Sequence, residues 1–197
     1  MPCGVLDKGM RQVLMILGTA ALAAGQMAWA ACPEPADHHE ELQALIARAQ
    51  AADDAAEGAQ ASNQMWQVWL RAPDKAAQAV LDAGMRRREV FDFTGAIREF
   101  DRLVEYCPTY AEGFNQRAYI HFLNGNHEKA LVDLDVALSL QPYHVAAQSG
   151  RALTLMNLGR LAEARAQMLV AVENNPWLSE AALLADGAPL GRKDQEL

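Results

Sequence analysis

Four prolines, Pro73, Pro108, Pro142 and Pro176, stand at successive intervals of 35, 34 and 34, and so regular a spacing confines the chain to architectures built by repetition. Other residues keep step with them. Twelve before each proline is an alanine (Ala61, Ala96, Ala130, Ala164), and eight before is a large apolar residue (Met65, Phe100, Leu134, Met168). Twenty-four before is a residue with little or no side chain (Ala49, Gly84, Ala118, Ala152), and five before the apolar set continues with Val68, Leu103, Ala137 and Ala171. Small residues at fixed places let two helices cross closely, one such place on each helix of a pair. The proline ends the second helix, since it donates no backbone hydrogen bond and disfavours helix in the residue before it. Turn-forming stretches fall between the landmarks at Phe93-Thr94-Gly95, Asn124-Gly125-Asn126-His127 and Leu158-Gly159-Arg160, each flanked by apolar residues at helical spacing. The unit reads helix, turn, helix.

These offsets resemble the tetratricopeptide-repeat (TPR) family, in its period of 34, its small residue in the first helix, its Ala followed four residues later by a large apolar residue in the second, and its closing Pro. The resemblance runs from about residue 42 to residue 185. It implies an all-α fold, a right-handed α-solenoid of antiparallel helix pairs with a short C-terminal capping helix. Residues 31–75 form an N-terminal helical pair, a degenerate repeat because Ala55, Ala56 and Gly58 stand where a defined turn should be. Three full repeats follow at about 77–110, 111–144 and 145–178, then a capping helix at 179–186 with Ser179 as its N-cap, then a flexible tail at 187–197. One departure is that Arg87, His121 and Leu155 hold a first-helix position where the family favours an aromatic.

In the family the first helices line a concave groove, and the resemblance implies the same layout here. Asn115, Tyr119 and Phe122 share one helical stripe, with Met85 and Arg88 in the preceding repeat and Leu153 and Met156 in the following one at corresponding places. Together with Tyr143 these are the expected partner-binding residues, and Asn115 is expected to bond a partner's backbone. An aromatic and Met-rich surface suits an extended segment or an amphipathic helix. The same aromatics would also serve as core between repeats, so both readings stand at this point. TPR domains that clamp a C-terminal carboxylate use Lys or Arg on the first helix of the third repeat, where this chain has Ala146 and Gly150. The implied function is a protein-interaction module or scaffold for a protein or peptide partner. Homo-oligomerisation through the same groove is the first alternative, and a metal-binding or enzymatic periplasmic protein using the His38-His39 segment or Cys32 is the second.

The first residues point to export. An apolar run from Val13 to Ala24 follows Arg11 and precedes Ala28-Trp29-Ala30, the order of a signal peptide cleaved after Ala30. Met10 is a second candidate start. The run is about a dozen residues, short of the ~20 needed to span a bilayer, so no membrane insertion is expected after cleavage and the mature protein is expected in the periplasm. Cys32 and Cys107 then remain as the only cysteines, either bridged in an oxidising compartment or left as a free buried Cys107 and an exposed Cys32. A formal charge of -8 argues against a nucleic-acid partner, which needs clustered Lys and Arg. Catalytic motifs, cofactor fingerprints and compact metal-ligand spacings are missing from the sequence, so the expectation is a non-enzyme with no cofactor and no metal. His38-His39 before Glu40-Glu41 reads as a solvated helix start.

Overall fold

A computed structural model describes residues 31–191 and Met1; the expected signal peptide otherwise lies outside the described residues, as do residues 192–197. The described residues form eight α-helices and one 3-10 turn: α1 His39–Ala51, α2 Ala55–Trp69, α3 Lys75–Glu89, α4 Phe93–Tyr106, α5 Ala111–Leu123, α6 His127–Leu140, α7 Val145–Asn157, α8 Leu161–Asn174 and η1 Ser179–Leu184. No helix among the described residues is long and apolar enough to cross a membrane.

The pairs α3–α4, α5–α6 and α7–α8 pack successively, and the residues found by counting back from the prolines are their core. Ala96, Phe100, Leu103, Ala118, Ala130, Ala137, Ala152, Ala164, Met168 and Ala171 are fully buried. A Cβ on Gly84 would lie less than 3.0 Å from three carbons of the Phe100 ring, which is why that crossing requires a residue without a side chain. Local chemistry fixes several helix starts: Asp54, Asp74 and Asp92 accept backbone N–H bonds from the first turns of α2, α3 and α4. The intra-pair turns close with one repeated bond, from Asn126 N to His121 O and from Arg160 N to Leu155 O, both 2.9 Å, with Gly125 and Gly159 in the left-handed region at φ 71° and 74°. An arginine ladder keeps the same register. Arg117 bonds Asp101 and Asp133, and one repeat further on Arg151 bonds Asp135 and Gln167.

The N-terminal pair departs from the expected stacking. Internally α1–α2 is built like a repeat, with Arg48 reaching Gln64 sixteen residues on, as Arg117 reaches Asp133. Its placement differs. The pair lies along the edge of the solenoid, across the two turns that join one repeat to the next and the turn that follows the last repeat. Tyr110, His144 and Leu178, one per turn and a full period apart, are its docking points. The Tyr110 hydroxyl donates to the Trp69 carbonyl at 2.6 Å, His144 stacks on the Trp69 ring with centroids 4.2 Å apart, and Leu178 packs against the hairpin core of Leu42, Ile46, Met65 and Val68. At the far end Trp177 Nε1 donates to the Ala49 carbonyl at 2.9 Å and Asn175 Nδ2 to Ser62 Oγ at 2.8 Å. At the near end Cys32 is bridged to Cys107, their Cα atoms 5.1 Å apart. Gly58, read in sequence as the mark of a loose turn, is buried within α2 against the Trp177 indole.

The reason lies in the connector. α4, α6 and α8 each run to two residues before their proline, whereas α2 stops at Trp69 and leaves a five-residue link, Leu70 to Asp74. Outside the groove α3 exposes Lys75, Ala76, Ala79 and Arg86, small or charged side chains suited to the end of a solenoid.

The C-terminal end differs in two further respects. The cap is a 3-10 turn over Ser179–Leu184 whose N-cap is Leu178, and Ser179 Oγ donates to Glu180 instead of capping. The flexible tail expected from Gly187 is ordered as far as Gly191. Leu190 is buried against Leu183, Leu184 and Met168, and Arg165 donates to its carbonyl.

Candidate functional site

The first helices α3, α5 and α7 face one concavity, and α2 supplies a wall that a plain stack of three repeats would lack. The resulting groove encloses about 730 Å³. Met85, Tyr119 and Leu153 occupy equivalent positions on the three first helices and all line it, as do Arg88 and Phe122. From α2 comes Trp66, from the link after it Leu70, from the α3–α4 turn Phe91, from the start of α4 Phe93, and from the C-terminal cap Glu180. Tyr119 is 47% exposed and Phe91 80% exposed, so two of the aromatic rings present open faces.

Beneath the groove lies a buried polar chain. Glu112 on α5 is 1% exposed, yet its carboxylate is fully engaged: Gln116 Nε2 donates at 2.5 Å, Asn115 Nδ2 at 3.0 Å, and His144 Nε2 lies 2.8 Å away. Because His144 Nδ1 accepts the Ala147 backbone N–H, the ring proton sits on Nε2 and points at Glu112. Gln116 in turn accepts from Arg88 Nη1 at 2.7 Å, and the Arg88 guanidinium lies 5.7 Å above the Tyr119 ring. Arg88, Gln116, Glu112, His144 and Trp69 thus form one connected line from groove floor to hairpin. Burial, with Glu112 and Asp82 nearby, pushes the Tyr110 phenol above its ordinary range, so it remains a hydrogen-bond donor to Trp69.

Comparison with known proteins bears on this geometry. No family model matches the chain. A TPR repeat-containing protein of Rhizobium etli is 38% identical over 64 residues, 32% of this chain and 31% of that protein. A tetratricopeptide repeat protein 36 homolog of Nematostella vectensis is 36% identical over 64 residues, 32% of this chain and 35% of its own. The chain therefore spans about a third of the length of the curated relatives it matches. Among solved structures, the first TPR of Spaghetti (RPAP3) bound to an HSP90 peptide is similar with a TM-score of 0.53 at 22% identity, over 54% of this chain and 84% of that one. The TPR2B domain of yeast Sti1 in its pHsp70 complex gives 0.52 at 19%, over 55% and 90%, and the Sgt2 TPR domain of Aspergillus fumigatus gives 0.51 at 17%, over 63% and 92%. The fold is the TPR fold.

Of the eight residues expected on the TPR groove, Met85, Arg88, Asn115, Tyr119, Phe122 and Leu153 are brought together there. Two are not. Tyr143 sits in an inter-repeat turn on the hairpin side, edge-on to His39 at 5.9 Å, because the turns face α1 and not the concavity. Met156 packs on the core of the last repeat. Asn115 is in the groove wall but 6% exposed, and its amide nitrogen donates to Glu112. Ala146 and Gly150 both line the groove, which leaves no basic side chain at either place. Sequence reasoning missed Trp66, Leu70, Phe91 and Phe93, since they enter from outside the first helices. The His38-His39 segment lines a separate cleft, and no group of three His, Cys, Asp or Glu residues among the described ones is arranged to hold a metal.

Proposed function

We propose that this chain is a protein-interaction module that takes a polypeptide segment of a partner into the groove bounded by α2, α3, α5 and α7. The observation that carries it is the set of apolar side chains, Met85, Tyr119 and Leu153 at equivalent places on three helices together with Phe122, converging on one concavity with a fourth helix as a wall. Such side chains give large contact area at low entropic cost, which is how grooves of this kind seat peptides. Two of the similar TPR structures are themselves complexes, with an HSP90 peptide and with pHsp70. Replacing Tyr119 and Phe122 by Ala together should abolish recovery of the partner after crosslinking while leaving the helical circular dichroism unchanged. Undiminished recovery would remove the groove from consideration.

The module works in the periplasm on this reading. The signal-like run before Ala30 supports it, and so does the Cys32–Cys107 bridge, since such bonds persist in oxidising compartments. Cell fractionation, with mass measurement of the mature N-terminus, tests it; a chain that stays in the cytoplasm with residues 1–30 attached refutes it.

A further inference from the structure

The turn between α3 and α4 breaks the rule kept by the other two. At the position of Gly125 and Gly159 stands Phe91, held in the left-handed region at φ 59°. For a bulky residue that conformation is strained. The ring does not compensate by burial: it is 80% exposed and meets the Phe93 ring edge-on, centroids 6.0 Å apart. A glycine would relieve the backbone, so the fold does not account for this residue. Its location does, because Phe91 stands at the mouth of the groove next to Val90, also exposed. An exposed aromatic ring beside an apolar groove offers a partner large contact area at low entropic cost.

The groove's charges add a direction. Its one cation among the described residues, Arg88, is spoken for by Gln116 and by the Tyr119 face. The remaining charged lining residues are Glu89 and Glu180, and neither pairs with a cation among the described residues. Ala146 and Gly150 leave the floor without positive charge, and the chain as a whole carries -8. We propose that the occupant is a partner segment in which apolar side chains, one of them seated on Phe91, are accompanied by Lys or Arg facing Glu89 and Glu180. This rests on the groove reading above and adds the chemistry of the ligand.

A random-peptide library displayed on phage and selected on the disulfide-bonded protein reads that chemistry directly. The expected result is enrichment of aromatic or aliphatic residues together with Lys or Arg. Synthetic versions of the selected peptides should bind about three- to tenfold more weakly to the Glu89→Gln, Glu180→Gln double variant, with the difference shrinking at high salt. Phe91→Gly, which keeps or improves the fold, should weaken them about tenfold or more. Selected peptides rich in Asp or Glu, or affinities indifferent to both sets of variants while Tyr119→Ala abolishes binding, would overturn this inference and leave the groove reading standing. Peptides selected equally well on a Tyr119→Ala, Phe122→Ala protein would overturn both.

Discussion

Gly58→Ala distinguishes the docked hairpin from an ordinary first repeat by the sign of its effect. Gly58 lies within α2, where alanine is favoured over glycine by up to about 1 kcal/mol because glycine loses more backbone freedom on folding. Were α1–α2 stacked with this face open, the substitution would stabilise the protein. In the structure the added Cβ would lie less than 3.0 Å from three indole carbons of Trp177, a rigid bicycle that cannot swing aside at its near end. Overpacking of that kind costs about 1–3 kcal/mol. Displacing the ring also breaks the bond from Trp177 Nε1 to the Ala49 carbonyl, worth about 1 kcal/mol net. Set against the propensity gain, the balance is a loss of about 2 kcal/mol. For a chain of this size that lowers the unfolding midpoint by roughly 4–8 °C. Thermal unfolding followed by far-ultraviolet circular dichroism measures it. A rise in midpoint refutes the docking of α2 on the C-terminal turn.

Other perturbations probe the remaining contacts. Replacing His144 by Ala strips Glu112 of one partner in a buried site and removes the stack on Trp69, so urea unfolding should show a loss of about 3 kcal/mol; under about 1 kcal/mol would mean the carboxylate is not dependent on the ring. The Cys32–Cys107 bridge closes a loop with a sequence separation of 75, for which chain entropy gives about 4 kcal/mol, so unfolding with and without reductant should differ by several kcal/mol, and identical curves would show that the bridge does not form. Burial holds the His121 imidazole below its ordinary 6.5, outweighing the pull of Asp133. The unfolded chain therefore binds the proton more readily, and His121 contributes stability that is present above about pH 6.5 and lost as pH falls toward its lowered folded value. The His121→Gln variant should show a flatter stability profile across that window; an unchanged profile assigns the dependence elsewhere.

What could be read in the sequence was what repeats. The offsets counted from the prolines returned the pairing within every repeat, including α1 with α2, where Ala49 and Ala61 are buried as Ala118 and Ala130 are in the third pair. They say nothing about how one pair meets the next, and there the reading of four stacked units fails. Besides the missing turn residues at Ala55, Ala56 and Gly58, the first pair was set apart by its interval of 35 in place of 34, which corresponds to the longer link from Leu70 to Asp74. The groove was legible to the same extent. Met85, Tyr119 and Leu153 follow from periodicity, whereas Trp66 and Leu70 reach the groove only through the hairpin's placement, and Phe91 stands out only once its backbone angle is known. Tyr143 was misplaced because aromatic character says nothing of which side of a turn a ring faces.

The helix that departs from the pattern is also the one that joins the two halves of the site. On α2, Met65, Val68 and Trp69 face the docking core, while Trp66 and Leu70, a few positions away in the same segment, face the groove. A hairpin that moves off the inter-repeat turns therefore takes one wall of the groove with it. The line of contacts from Trp69, stacked on His144, through hydrogen bonds to Glu112, Gln116 and Arg88 runs between the same two places. Any ligand that touches Trp66 binds the docked state in preference to the undocked one, and by linkage it stabilises the docking by the same free energy. Gly58→Ala, about two helical turns from Trp66 along α2, should then weaken binding without touching the groove, to the degree that it shifts the hairpin. The disulfide opposes that shift at one end and Trp177 at the other, which makes the wall part of a preorganised site and not a lid.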